Sequence, residues 1–271
     1  MWPRAILFDL DDTLFDHRRA SRLALAAMHA AYAPDLPLNA FVIKHAEVLE
    51  AFHACFLAGE LTLDQAREAR MQALFAAFDR QLDLATVERA ACLYREQHQA
   101  NRFMVAGGIE LLDALRDHCR LGIVTNNSTA EQIEKLRALN IAKYFDTVVI
   151  SEDVGVTKPE PKIFSIALER IGATAQETVF IGDNWTNDIV GARNAGMTAV
   201  WLDHNETPAS ADMAGHKWPE KPVNASVCDI GRVTSLLPTA TVVAAIKTVF
   251  LNRHNRTPGA QQHEQLETLA S

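Results

Sequence analysis

Apolar and polar positions follow two different rhythms along this chain. It starts with a solid apolar run, Ala5-Ile6-Leu7-Phe8, that breaks abruptly into Asp9-Leu10-Asp11-Asp12-Thr13, the pattern of a buried strand ending in a carboxylate-rich turn. Over residues 16–99 the chain is Ala-rich and nearly free of glycine. Apolar residues there recur at helical spacing, as in Phe41, His45, Val48, Leu49 and Phe52, which predicts an all-helical block. Within it, Asn39 is placed to cap a helix that Gly59 ends, and Thr62-Leu63-Asp64-Gln65 has the form of a capping box for the next. A further helix is expected over residues 84–97.

From Gly107-Gly108 onward, short apolar runs alternate with amphipathic stretches. The pattern predicts a helix over 109–117, a strand over 121–125, and a helix opened by the capping box Ser128-Thr129-Ala130-Glu131 and running to about residue 139. A strand over 147–151 follows, then a helix from Pro161 ended by Gly172, a strand over 178–182, a short helix ended near Gly196 and a strand over 198–202. Helices alternating with short apolar strands predict a doubly wound parallel sheet of the α/β class. The first strand belongs to that sheet, so the helical block is an insertion after it. The expected layout is a Rossmann-like core from residues 1–15 and 100–237, an inserted helical unit from 16–99, and an extension from 238–271 that adds one helix and a loose, disordered end around Pro258 and Gly259.

Composition narrows the function classes. A chain of 271 residues, 48% of them hydrophobic, supports a sizeable soluble core. Its net charge of -8 argues against nonspecific binding to nucleic acid or to anionic lipid. Cys55, Cys92, Cys119 and Cys228 are widely spaced, with no metal or redox motif, and the ten histidines contain no His-Glu-x-x-His. No apolar run approaches membrane-spanning length, and the first residues read as a core strand rather than a signal peptide. The expectation is a cytoplasmic protein, monomer or homodimer.

The chemistry collects where an open parallel sheet binds ligands, at the carboxyl ends of its strands. Asp9 to Thr13 follow the first predicted strand, Thr125-Asn126-Asn127-Ser128 the second, Thr157-Lys158-Pro159 the third, and Asp183 to Asp188 the fourth. Alone, the aspartate and Thr-Asn segments read equally well as turns or helix caps, and Lys158 reads more readily as a solvated lysine. Together they fit phosphoryl transfer. Asp9 can attack phosphorus to give an aspartyl-phosphate, and Asp11 can protonate the leaving alkoxide and then activate water. Clustered carboxylates beside a phosphate call for a hard divalent cation, and magnesium suits them, with Asp183 as a further ligand and Asp188 behind it, positioning metal-bound water or Lys158. Thr125, Asn126 and Lys158 supply donors for the phosphoryl oxygens.

The segments Asp9-Leu10-Asp11-Asp12-Thr13-Leu14, Thr125-Asn126, Lys158-Pro159 and Gly182-Asp183 with Asp188 resemble the four signature motifs of the haloacid dehalogenase-like hydrolase superfamily. The match spans residues 5–237. The resemblance implies a sheet ordered 5-4-1-2-3, with the helical block as the cap of the branch that carries its cap between the first two motifs. It further implies Asp9 as nucleophile and metal ligand, Asp11 as acid and base with its carbonyl on magnesium, Thr125 and Lys158 on phosphate, and Asp183 on metal. Dehalogenases of the family lack an acid at the place of Asp11, so a phosphatase acting on a small phosphorylated metabolite is expected. Phosphomutase, 2-haloacid dehalogenase and a catalytically silent regulator are the alternatives. The stretch from Asp153 to Phe164, together with Phe8 to Asp16, looks most like the branch that includes pyrimidine 5'-nucleotidases and acylneuraminate phosphatases, which makes a nucleoside 5'-monophosphate or a sugar phosphate a candidate ester. Arg67, Arg70 and His53 are either cap contacts to substrate or the solvated face of a helix, the commoner role. Trp185 either packs on the core or lines the pocket, with packing favoured.

Overall fold

The strand β1 (Ala5–Phe8) lies near the middle of the sheet, fully buried and hydrogen-bonded along both edges. On one side it pairs in parallel with β2 (Arg120–Thr125), which pairs with β3 (Thr147–Ile150). On the other side lie β4 (Thr178–Gly182), β5 (Thr198–Leu202) and β6 (Ile230–Val233), giving the order β3-β2-β1-β4-β5-β6. The expected five-strand order is present and β6 extends it. The computed structural model describes residues 1–204 and 230–254. Cys228 and the loose end expected around Pro258 lie outside the described residues.

Because all strands are parallel, every carboxyl end opens on the same edge. Alternate side chains of each strand feed two separate apolar layers. Ile6, Phe8, Ile123 and Val200 pack with α5 (Gly108–Leu115), α6 (Thr129–Ala138) and α10 (Thr239–His254). Leu7, Val124 and Phe180 pack on the other face against α8 (Pro161–Ile171) and α9 (Gly191–Asn194). Burying a side chain such as Phe8 or Phe180 completely contributes roughly 1.5–3 kcal/mol. A one-turn helix, α7 (Ser151–Val154), follows β3. The predicted strand therefore stops one residue earlier than expected.

Between β1 and β2 run α1 (His17–Tyr32), α2 (Leu38–Leu57), α3 (Leu63–Ala76) and α4 (Leu84–Ala100), which with α5 make up the inserted helices. The first four share a core of their own around Met28, Phe41, Leu74 and Phe75. The capping box at Thr62 is present, with its hydroxyl accepting from the Gln65 N–H (3.2 Å) and the Gln65 amide oxygen accepting from the Thr62 N–H (2.9 Å). Asn39 does not cap α2. The helix starts one residue before it, with Pro37 in the capping position, where its fixed φ and its carbonyl start the first turn. The chain leaves and re-enters the core side by side, with Asp16 N–H donating to Phe103 O (2.9 Å) and Val105 N–H to Leu14 O (2.8 Å). On re-entry it turns at Gly107 (φ 88°), where a Cβ would come within 2.9 Å of the Leu236 backbone.

Candidate active site

The Asp9 N–H donates to Ile181 O at 2.9 Å, carrying the sheet pairing one residue past β1 and fixing the backbone of this aspartate. The residue is only 6% exposed. The Lys158 ammonium donates to Asp9 Oδ1 (2.6 Å) and to Asp188 Oδ1 (2.7 Å), while the Thr13 hydroxyl donates to Asp9 Oδ2 (3.3 Å). Lys158 lies between α7 and α8, and Asn126, just past β2, holds its backbone from both sides. The Asn126 side chain accepts from the Lys158 N–H (2.8 Å) and donates to the Lys158 carbonyl (2.9 Å). That side-chain amide thereby joins two loops.

After β4 the chain makes a π-helical turn over Trp185–Val190 before α9, which together replace the single short helix expected there. The wide turn brings Asp188, fully buried, back beneath the strand end, where its Oδ2 accepts from the Asn184 N–H (2.9 Å). Gly182 makes room for it, since a Cβ there would lie 2.4 Å from Asp188 Oδ2. Asp183 Oδ2 accepts from Arg18 Nη2 (3.1 Å), and its backbone carbonyl accepts from the Trp201 indole N–H (2.8 Å). Trp185 stands edge-on to Trp201, with ring centroids 4.9 Å apart, and packs against the core rather than lining the pocket.

Asp11 has turned towards α6. Its Oδ1 accepts from Lys135 Nζ (2.6 Å) and its Oδ2 from Gln132 Nε2 (3.0 Å), the same nitrogen that donates to Thr125 Oγ1 (2.7 Å). Lys135, Gln132 and Arg18 were not among the residues singled out from the sequence. The available signal was the polar stripe Ser128, Gln132 and Lys135 at i, i+4 and i+7 on one face of a helix that opens at a strand end.

Burial dominates the electrostatics. It pushes the Asp9 carboxyl up to about 7, with Asp188 adding to the effect and Lys158 opposing it. Burial and then Asp12 hold Asp183 well above the usual carboxylate range. For Asp11 burial works in the same direction, but Lys135 and His17 outweigh it and keep the group below that range. Burial disfavours the charge on Lys158, yet Asp188 and Asp9 more than compensate and hold its pKa above that of an ordinary lysine. One ammonium thus serves two carboxylates, and negative charge remains in excess. Carboxylate oxygens of Asp9, Asp183 and Asp188 lie within 4.8 Å of one another. This largely buried all-oxygen donor set fits a hard divalent cation such as magnesium.

These groups form the floor of a cavity of about 440 Å³ roofed by the inserted helices. Arg67, Arg70 and His53 all line it. Arg67 also bridges to the core by an ion pair with Glu131 on α6. The stripe on α2 divides between two surroundings: Phe41 and Val48 pack within the helical unit, while His45, Leu49 and Phe52 line the cavity.

The family model for haloacid dehalogenase-like hydrolases matches residues 3–196. The chain is 30% identical over 207 residues to the HAD-hydrolase YfnB of Bacillus subtilis, covering 76% of this chain and 86% of that one. It is 33% identical over 209 residues to a glyceraldehyde 3-phosphate phosphatase of Pyrococcus abyssi, covering 75% of this chain and 82% of that protein. A shorter stretch of 105 residues, 38% of this chain and 47% of the relative, is 43% identical to the pyrimidine 5'-nucleotidase YjjG of Escherichia coli. Among solved structures, magnesium-bound YfnB superposes with a TM-score of 0.71 at 25% identity, covering 91% of this chain and all of that one.

Proposed function

The chain belongs to the haloacid dehalogenase-like hydrolase family, and from that premise we propose that it is a magnesium-dependent phosphomonoesterase with Asp9 as its nucleophile. The observation that carries this reading is the environment of Asp9: a buried carboxylate at the end of a central strand, bonded to Lys158 and grouped with Asp183 and Asp188. A phosphatase and a nucleotidase among the relatives, and magnesium in the YfnB structure, support it.

In the first step an Asp9 oxygen forms a bond to phosphorus, the ester P–O bond breaks, and the departing alkoxide takes a proton from Asp11. In the second, Asp11 accepts a proton from water as that water attacks phosphorus, releasing inorganic phosphate and regenerating Asp9. As placed here, Asp11 is held ionised by Lys135, which suits its role as base; serving as acid requires that pair to loosen. Thr125 and the Lys158 ammonium bind the phosphoryl oxygens, and Lys158 offsets the charge that develops on them. Asp9, Asp183 and the Asp11 carbonyl would hold magnesium, with Asp188 close enough to share the site or to keep Lys158 in place. When bound, the ion supplies the positive charge that lets an anionic phosphate approach an anionic nucleophile. Asp11 itself favours phosphate esters over carbon–halogen bonds, because only the alkoxide needs a proton on leaving. A small phosphorylated metabolite, a sugar phosphate or a nucleoside 5'-monophosphate, suits a cavity of this size.

The test is phosphate release from nucleoside monophosphates, sugar phosphates and p-nitrophenyl phosphate. We expect turnover with magnesium that is lost in chelator and falls about a thousandfold or more in Asp9→Asn. Folded wild-type protein that releases no phosphate from any of these esters with magnesium present would overturn the proposal.

A further inference from the structure

The roof of the cavity contains a cation with no ion-pair partner among the described residues, Glu131 acting on it only at a distance. Arg70, on α3, is 9% exposed, lines the cavity and makes no hydrogen bond or ion pair among the described residues. Its Nε is buried without a hydrogen-bond partner. Its neighbour Arg67 is paired with Asp64 and Glu131. The Arg70 guanidinium lies over the Tyr94 ring, its carbon 5.1 Å from the centroid, and the Tyr94 hydroxyl is already engaged with Ser21 (2.7 Å). A second orphan stands in the same wall, where His45 Nε2 is buried with no hydrogen-bond partner among the described residues. Burial and the nearby Arg70 keep that imidazole neutral. Leu49, Phe52 and Phe56 make up apolar wall around these polar atoms.

A buried guanidinium is costly unless it is paired, and its planar fork matches carboxylate and phosphate oxygens. Stacking on Tyr94 answers only for the face of the group, leaving its N–H donors unused. A neutral acceptor would satisfy those donors but leave the charge in place. We propose that Arg70 recognises an anionic group on the leaving part of the substrate, so that the preferred ester carries a second negative charge, a carboxylate or a second phosphate, beyond the phosphate under attack. This rests on the phosphomonoesterase reading above and adds a substrate class to it. The floor then takes the scissile phosphate, the apolar wall covers the carbon skeleton, and Arg70 with His45 closes on the far anion.

The experiment compares kcat/KM for two matched pairs: 3-phosphoglycerate with glycerol 3-phosphate, and propane-1,3-diol bisphosphate with its monophosphate. In wild type we expect the doubly anionic member of one pair to be favoured by about 10- to 150-fold, the range of a hydrogen bond to a charged group. Which pair shows the preference identifies the carboxylate or the phosphate as the source. Arg70→Met should bring the ratio close to one, and Arg70→Lys, which retains charge without the fork, should leave an intermediate ratio. Should Arg70→Met not fold, the lysine variant decides through the same ratio. A readout without turnover uses Asp9→Asn: the doubly anionic ester should raise its melting temperature more than its partner does, and adding Arg70→Met should remove the difference. Turnover of p-nitrophenyl phosphate with no preference in either pair, or a preference unchanged in the Arg70 variants, would overturn this inference while leaving the phosphatase reading intact. Absence of turnover on every ester would count against that reading instead, and the melting shifts would still decide for or against Arg70.

Discussion

Gly182 has no side chain, and Asp188 occupies the space that one would need. An added methyl has to displace either the strand end or the carboxylate that holds Lys158. We therefore expect Gly182→Ala to lower kcat/KM for phosphate release about a hundredfold and to cost roughly 1–3 kcal/mol in denaturant unfolding, the range for overpacking a tight site. Wild-type kinetics and stability in that variant would show that Asp188 is not fixed there. Asp9, Thr125 and Asp183 could be read from the sequence because each stands at or just beyond the end of a predicted strand, and parallel topology brings such ends together; Lys158 lies farther on, past α7, and was legible through its place in the motif order. The partners of Asp11 could not. Whether its carboxylate faces Asp9 or α6 is a choice of side-chain rotation, and Lys135 and Gln132 matter only once that choice is known. The Asn126 side chain is engaged with the backbone of Lys158, a contact across 32 positions that local pattern does not reveal, and the amide at the helix start, the donor expected from the sequence, is a separate group.

At the scale of elements, the strands β1, β4 and β5 coincide with their apolar runs, because a strand buried on both faces is apolar throughout. By contrast β6 escaped notice, since Ile230-Gly231-Arg232-Val233 is short, edge-placed and interrupted by glycine and arginine. The π-helical turn after β4 was also hidden, as its register depends on the pull of Asp188 towards Asn184 and Lys158. The stripe on α2 was visible, but its division between helical core and cavity was not, because periodicity specifies a face and not what covers it. The roof meets the floor through Arg67 and Glu131, whose side chains are 20% and 23% exposed. At that exposure the pair adds under about 1 kcal/mol to stability. Arg67→Ala should thus leave the unfolding midpoint almost unchanged while raising KM several-fold, and an unchanged KM would mean that the contact has no part in closing the cavity.

For the whole molecule, acid is the sensitive direction. His45 and His53 are held below the ordinary imidazole value by burial, and His98 is pushed down to about 2 by burial and by His17. A histidine with a depressed folded pKa binds its proton more readily once unfolded. The stability it contributes is complete above about pH 6.5 and is lost as pH falls below that value, by up to about 1.4 kcal/mol per pH unit for each group. Asp9 and Asp183, with raised values, act in the opposite sense in metal-free protein, so the magnesium-loaded protein gives the clearer measurement. Its melting temperature should fall steadily from pH 7 to pH 5, and His98→Gln should flatten the slope; a level profile would contradict the neutral, buried histidines. The inserted helices have one further property. Their two connecting segments lie hydrogen-bonded side by side, Asp16 against Phe103 and Leu14 against Val105, so the chain departs from the sheet and returns to it at nearly the same place. Such an insertion can be lengthened, trimmed or replaced without rethreading a strand. The gap after β1 is in effect a socket, through which lineages or designers could change what is recognised while inheriting the chemistry unaltered.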